Sequence, residues 1–224
     1  MLLHYIYLLF LLFSVLASLS ILRLDWPGTF KHFAVFLVTT CSVEILAFLW
    51  SYRLHKTVWW DYGRNNIWLY NAYLVPQYLF YLYFFASNIA SRRVKKAAMI
   101  AAAVYLMVAI TELFYLKKLF IVCDITIITA SFMMTLITVA YFSQLMKAKT
   151  VVKLGRLPMF WIAAGTFIFS LGSLPCFMLY NYISSRNAVL ATSLFWVVGI
   201  LNCIMYLLYS IAFLCTRKFP TSPS

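Results

Sequence analysis

Three of the chain's five acidic residues, Glu44, Glu112 and Asp124, lie within long apolar stretches. A carboxylate at bilayer depth costs about 2.5–3.5 kcal/mol on insertion scales, so each needs a polar partner or a task. Glu44 has no basic residue on its own stretch nearer than Arg53, more than two helical turns away. It is therefore expected either to be protonated or to bind something polar. Glu112 and Asp124 have an alternative, an ion pair with Lys117 or Lys118 in the turn between their stretches.

Helical spacing supplies companions. Tyr70, Tyr73, Gln77 and Tyr81 form one stripe, with Asn71 beside it. Thr40 and Glu44 share a face, as do Tyr105 and Glu112. Thr166, Ser170 and Ser173 run toward Asn181, and Asn202, Tyr206 and Tyr209 mark the last stretch. The expected binding set is Glu44, Asn71, Gln77, Glu112, Asp124 and Asn181, framed by Tyr70, Tyr73 and Trp196. Carboxylates with aromatic walls suit a cationic or amine-bearing ligand, through charge pairing and cation–π contact. The Ser and Thr residues have a plainer use in close helix packing and bonds back to their own backbone.

Catalytic patterns are missing. There is no HExxH, no phosphate loop and no readable Ser-His-Asp or Cys-His set. The three histidines, His4, His32 and His55, are too few and too scattered for a metal site, and the five cysteines have no CxxC spacing. An enzyme is the least supported class, and neither a metal nor another cofactor is expected.

The elements that must carry these residues are read from a rhythm. Seven apolar stretches of roughly 20 to 28 residues alternate with short charged segments, and ~20 apolar residues in a helix cross the ~30 Å hydrocarbon core. The chain is 65% hydrophobic and only 10% charged, whereas a soluble domain is about a quarter charged. The expected architecture is all-α: a polytopic integral membrane protein with one seven-helix domain over residues 1–215 and a short tail over 216–224. The first stretch lacks a basic leader, so it reads as a helix and not a cleaved signal. The expected helices are about 2–22, 32–52, 67–90, 97–116, 119–146, 159–183 and 189–215. Pro76 and Pro175 fall inside two of them and invite kinks.

The net charge of +13 sits in the loops and not along one face, which argues for membrane topology and anionic lipid headgroups and against nucleic acid. Alternate connections hold 12 and 6 Lys and Arg residues. The richer side is expected to be cytoplasmic, which places the N-terminus outside and the C-terminus inside the cell, in the inner membrane. Trp50, Trp59, Trp60, Tyr62 and Trp68 crowd one boundary, and Trp26 and Trp161 the other, like interfacial belts. Trp59 and Trp60 are also candidates for a lid over an outer cavity.

Several seven-helix plans fail on their residues. The last stretch has no lysine for a retinal Schiff base, and the single Pro76-Gln77 lacks the repeat of PQ-loop transporters. The stretch NNIWLYNAYLVPQYLFYLYFF, Asn65 to Phe85, resembles the third-helix region of small uncharacterised bacterial seven-helix proteins, some of which resemble the membrane sensor regions of histidine kinases. The resemblance covers about one helix and implies a stand-alone sensor, passing its signal to a separate cytoplasmic partner docked on the basic segments Arg92–Lys96 and Lys147–Arg156. Two functions are thus expected to compete: a ligand-binding or sensory protein with an outward-facing polar and aromatic pocket, and a small secondary transporter coupled to protons or cations through its carboxylates.

Overall fold

A computed structural model describes residues 2–22, 26–53, 57, 66–116, 119–147, 154–184 and 186–215. Among them the chain forms seven α-helices and no strand. These are α1 (Leu2–Leu22), α2 (Gly28–Arg53), α3 (Ile67–Asn88), α4 (Arg92–Ile110), α5 (Asp124–Met146), α6 (Pro158–Ser184) and α7 (Ala188–Cys215). Five of them, α2, α4, α5, α6 and α7, are long and apolar enough to cross a membrane. In α1 the described apolar stretch is shorter, Ile6–Ile21. In α3 the phenols, Asn71 and Gln77 dilute the apolar character.

The bundle is apolar outside and carries polar groups inside. Leu9, Leu16, Met99, Ile100 and Ile121 are each more than 60% exposed, while Ser14, Ser18, Thr40, Ser131, Thr138, Thr166, Ser173 and Ser210 are buried. A soluble surface does not tolerate so much contiguous apolar area. Against hydrocarbon the arrangement is the stable one, because most of the buried hydroxyls find partners inside the bundle, Ser131 being an exception. Many bond to the backbone one turn earlier, as Ser14 does to Leu11, Thr138 to Met134 and Thr166 to Ile162.

Helices α2, α4 and α5 have boundaries that differ from the sequence expectation, and α2 begins at Gly28 instead of about 32. Arg92 to Lys96, expected as a loop, form the first turn of α4, because Ser91 caps it by accepting from the Val94 amide. The opposite end of α4 does not run straight to Leu116. It widens into a π-turn, Thr111–Tyr115, closed by a bond from the Leu116 amide to the Thr111 carbonyl. Residues 119–123, expected as the start of α5, form turns and extended chain instead.

Helices α1, α2, α3, α5, α6 and α7 close a ring of packed neighbours, and α4 lies outside it against α3 and α5. Only 22% of α4's apolar window is buried, against 39% in the other four spanning-length helices, which marks α4 as peripheral. The tightest seam joins α6 and α7. A Cβ added at Gly165 would stand 3.1 Å from the Met205 carbonyl oxygen and from the Tyr209 ring, so only glycine allows this approach. At the end where α2 begins and α3 ends, Phe33 packs on Phe84, Tyr209 and Phe213 at ring separations of 4.7, 5.2 and 6.0 Å. This aromatic plug fills the ring there.

Candidate functional site

Glu44 lies on α2, half-buried, one turn beyond Thr40. One of its oxygens, Oε2, accepts from the Tyr7 hydroxyl at 2.6 Å and the Tyr70 hydroxyl at 2.8 Å. The carboxyl thereby ties α1, α2 and α3 together. No described residue bonds to Oε1, and that atom is not sealed from its surroundings. No basic side chain pairs with Glu44 among the described residues. A carboxyl with one oxygen anchored by two phenols and the other unengaged can take a proton or a cation.

Two further groups of hydroxyls, not bonded to each other, lie between Glu44 and the aromatic plug. Thr40 and Tyr73 share a hydrogen bond of 2.6 Å, Tyr81 and Tyr209 one of 3.1 Å, and Tyr209 and Thr166 one of 2.8 Å. The ring of Tyr206 lies 6.1 Å from that of Tyr209. Tyr70 to Tyr81 is about 16 Å of α3, roughly half the thickness of a hydrocarbon core. Tyr81, Tyr206 and Tyr209 are all buried.

Asn71, the neighbour of Tyr70, points to a different cluster. Its side-chain amide donates to the carbonyls of Leu119 at 2.9 Å and Ile121 at 2.7 Å, in the turn before α5. Glu112 completes the same corner from the opposite side. It is 1% exposed and accepts from the amide and the hydroxyl of Thr126, both at 2.7 Å, and from the Ile125 amide at 3.4 Å. These are among the free amides that open α5, where a negative group also meets the positive end of the helix dipole. The π-turn turns Glu112 inward while its neighbours Phe114 and Tyr115 stay 76% and 84% exposed. Asp124 is the first residue of α5 and is half-buried.

The nine residues expected as one binding set are therefore distributed. Glu44 and Tyr70 meet directly, with Tyr73 one turn along α3 on Thr40. Asn71 and Glu112 brace the α4–α5 corner, with Asp124 beside it. Gln77 joins Tyr73, His32, Thr39, Pro76 and Phe80 in an almost wholly apolar groove of about 360 Å³ between α2 and α3. Glu44 is not in its lining. Trp196 is 45% exposed on α7. Asn181 lies on α6, but its side chain is outside the described residues, as are Trp59, Trp60, Lys117 and Lys118. Nor do the described residues contain a cluster of His, Cys, Asp or Glu able to hold a metal ion.

Tyr7 and Thr126 are the partners that sequence reasoning missed. Tyr7 stands in a mostly apolar helix, a hydroxyl that needs a partner there, and that was the available signal. Thr126 sits two residues into α5, where only the fold reveals that a remote carboxylate reaches its amide. The chain matches no family model, no curated protein and no solved structure.

Proposed function

We propose that the chain is a seven-span inner-membrane protein, N-terminus outside and C-terminus cytoplasmic, that binds a cationic or amine-bearing small molecule at Glu44 as a sensor or receptor. The observation that carries this reading is the geometry of Glu44: one oxygen held by Tyr7 and Tyr70, the other bonded to none of the described residues. An ammonium placed on Oε1 would gain charge pairing in a low-dielectric interior, with phenol rings beside it. The aromatic plug around Phe33 closes the ring at the end away from Glu44, as a one-sided pocket requires. Spanning by α1 and α3 as well is supported by their places in the same ring as the five longer apolar helices. Glu112 and Asn71 are assigned a bracing role in this reading, and Glu44 alone carries recognition. A ligand that draws Glu44 away from either phenol would loosen α1 or α3 from α2, and that movement is the signal offered to a cytoplasmic partner.

One observation favours a second reading. Between Glu44 and Thr166 lie separate hydroxyl groups, Thr40 bonded to Tyr73 and Tyr209 bonded to Tyr81 and Thr166, which proton movement would use, and they favour a small transporter coupled to protons through Glu44. Proteoliposomes decide between the two. With tetraphenylphosphonium as probe and an imposed pH gradient, saturable binding that is lost in Glu44→Gln, without uptake, supports the sensor. Gradient-driven accumulation that is lost in Glu44→Gln makes the chain a transporter.

A further inference from the structure

A second groove lies on the opposite side of α3, and the residues around it point to a specific occupant. Val94, Ala97, Ala98 and Ala101 of α4 form one wall, and Met133, Leu136, Ile137 and Ala140 of α5 form the other. Both sets repeat at i, i+3, i+4 and i+7, so each is a single helix face. Leu82 of α3, 3% exposed, makes the floor. The groove holds about 200 Å³ and is almost wholly apolar. Four alanines line it, and their methyl groups are too small to fill the space between the helices. Leu136, 54% exposed, lies at its open side.

The mouth of this groove is basic. Val94 is in the first turn of α4, beside Arg92, Arg93, Lys95 and Lys96. At about 100° per residue, Arg93 and Lys95 flank Val94 on either side. Lys147, exposed, ends α5 nearby, and the Ala90 amide donates to Gln144 Oε1 at 2.8 Å, which holds the α3–α4 corner against α5. None of these cations has an acidic partner among the described residues. The acids of α4 and its neighbour, Glu112 and Asp124, lie at the far ends of their helices, about 25 Å from Lys95 along the axis. Of the first α4 amides, those of Val94 and Lys95 are taken by Ser91, and those of Arg92 and Arg93 are left at the same spot.

We propose that this groove is a site for an anionic glycerophospholipid, with part of one acyl chain between α4 and α5 and the phosphate held by Arg93, Lys95 and the α4 N-terminus. Charge complementarity selects the occupant. A zwitterionic lipid would gain the groove without the mouth, and a free phosphate the mouth without the groove. A second copy of this chain would bring the same positive charge to the mouth. The lipid would also complete the packing of α4, the least buried of the spanning-length helices. This inference is independent of Glu44 and of the function proposed for it.

The test is native mass spectrometry of protein released from nanodiscs of equimolar palmitoyl-oleoyl phosphatidylglycerol and phosphatidylcholine. The wild type is expected to retain phosphatidylglycerol preferentially. The double variant Arg93→Ala/Lys95→Ala should lose that preference by about five-fold for each cation removed. Ala101→Phe, which fills the groove, should lower retained lipid while leaving the cations in place. Ala140→Ile fills it from the other wall if the first variant does not fold. Arg156→Ala, away from the groove, should change nothing. Equal retention of the two lipids by the wild type overturns the proposal. So does retention indifferent to both groove-filling variants, which would mean headgroup attraction to the surface alone. Displacement of the lipid by inorganic phosphate, or a dimer that the groove variants dissociate, would also overturn it.

Discussion

Glu44 and Glu112 show how two carboxyls in similar sequence settings come to different tasks. Glu112 is consumed by the fold, since its oxygens satisfy amides and a hydroxyl that α5 cannot satisfy itself. Replacing it with Ala leaves the Thr126 amide and hydroxyl buried without their acceptor. A buried unsatisfied group costs about 1–3 kcal/mol, so Glu112→Ala should lower the thermal midpoint in detergent clearly, and Glu112→Gln less. Glu44 makes bonds that are worth less to stability. Interhelical hydrogen bonds in membrane proteins average about 0.6 kcal/mol, so Tyr7→Phe and Tyr70→Phe should each fold with only a small loss in midpoint. Their effect should appear in binding of organic cations, because each removes a donor that fixes Oε2. A large stability loss in Tyr7→Phe with unchanged binding would make Glu44 a brace like Glu112.

At the scale of helices, most of the elements were legible because hydropathy sets them directly. The expected and observed bounds of α1, α6 and α7 agree within a residue. The α4–α5 corner was not legible. A π-turn has no composition of its own, and its stability rests on Glu112 reaching a helix that begins 12 residues later. The basic run Arg92–Lys96 looked like a loop by charge alone, whereas the Ser91 cap makes it helical. The candidate site was legible in its residue types and less so in its grouping. Tyr70 and Asn71 are adjacent in sequence, yet on a helix they point about 100° apart, toward α2 in one case and the α4–α5 corner in the other. The α6–α7 seam makes a separate prediction. Gly165→Val places methyl groups against the Met205 carbonyl, which cannot move aside. Overpacking of this kind costs about 1–3 kcal/mol. The same change at Gly172 meets only the Leu201 side chain, so its loss should be smaller in the same melting experiment.

For the molecule as a whole, the closed ring with polar groups inside and α4 outside divides labour. The α6–α7 seam is held by glycine contact, while α1, α2 and α3 are joined across the interior by Glu44 and phenols. In the proposed function the part that responds to a ligand is the second. Its proposed orientation makes a prediction of its own: a cysteine at Arg53 should react with an impermeant maleimide added outside intact cells, and one at Arg93 only after the membrane is opened. The measurement closest to the central claim uses purified protein and a panel of organic cations running from methylammonium to tetraphenylphosphonium. Thermal midpoints are read for wild type and Glu44→Gln, with Glu112→Gln as comparison. At least one cation class is expected to stabilise the wild type and Glu112→Gln in a saturable way and to leave Glu44→Gln unmoved. A panel in which no cation stabilises the wild type, or in which Glu44→Gln responds as the wild type does, would contradict it.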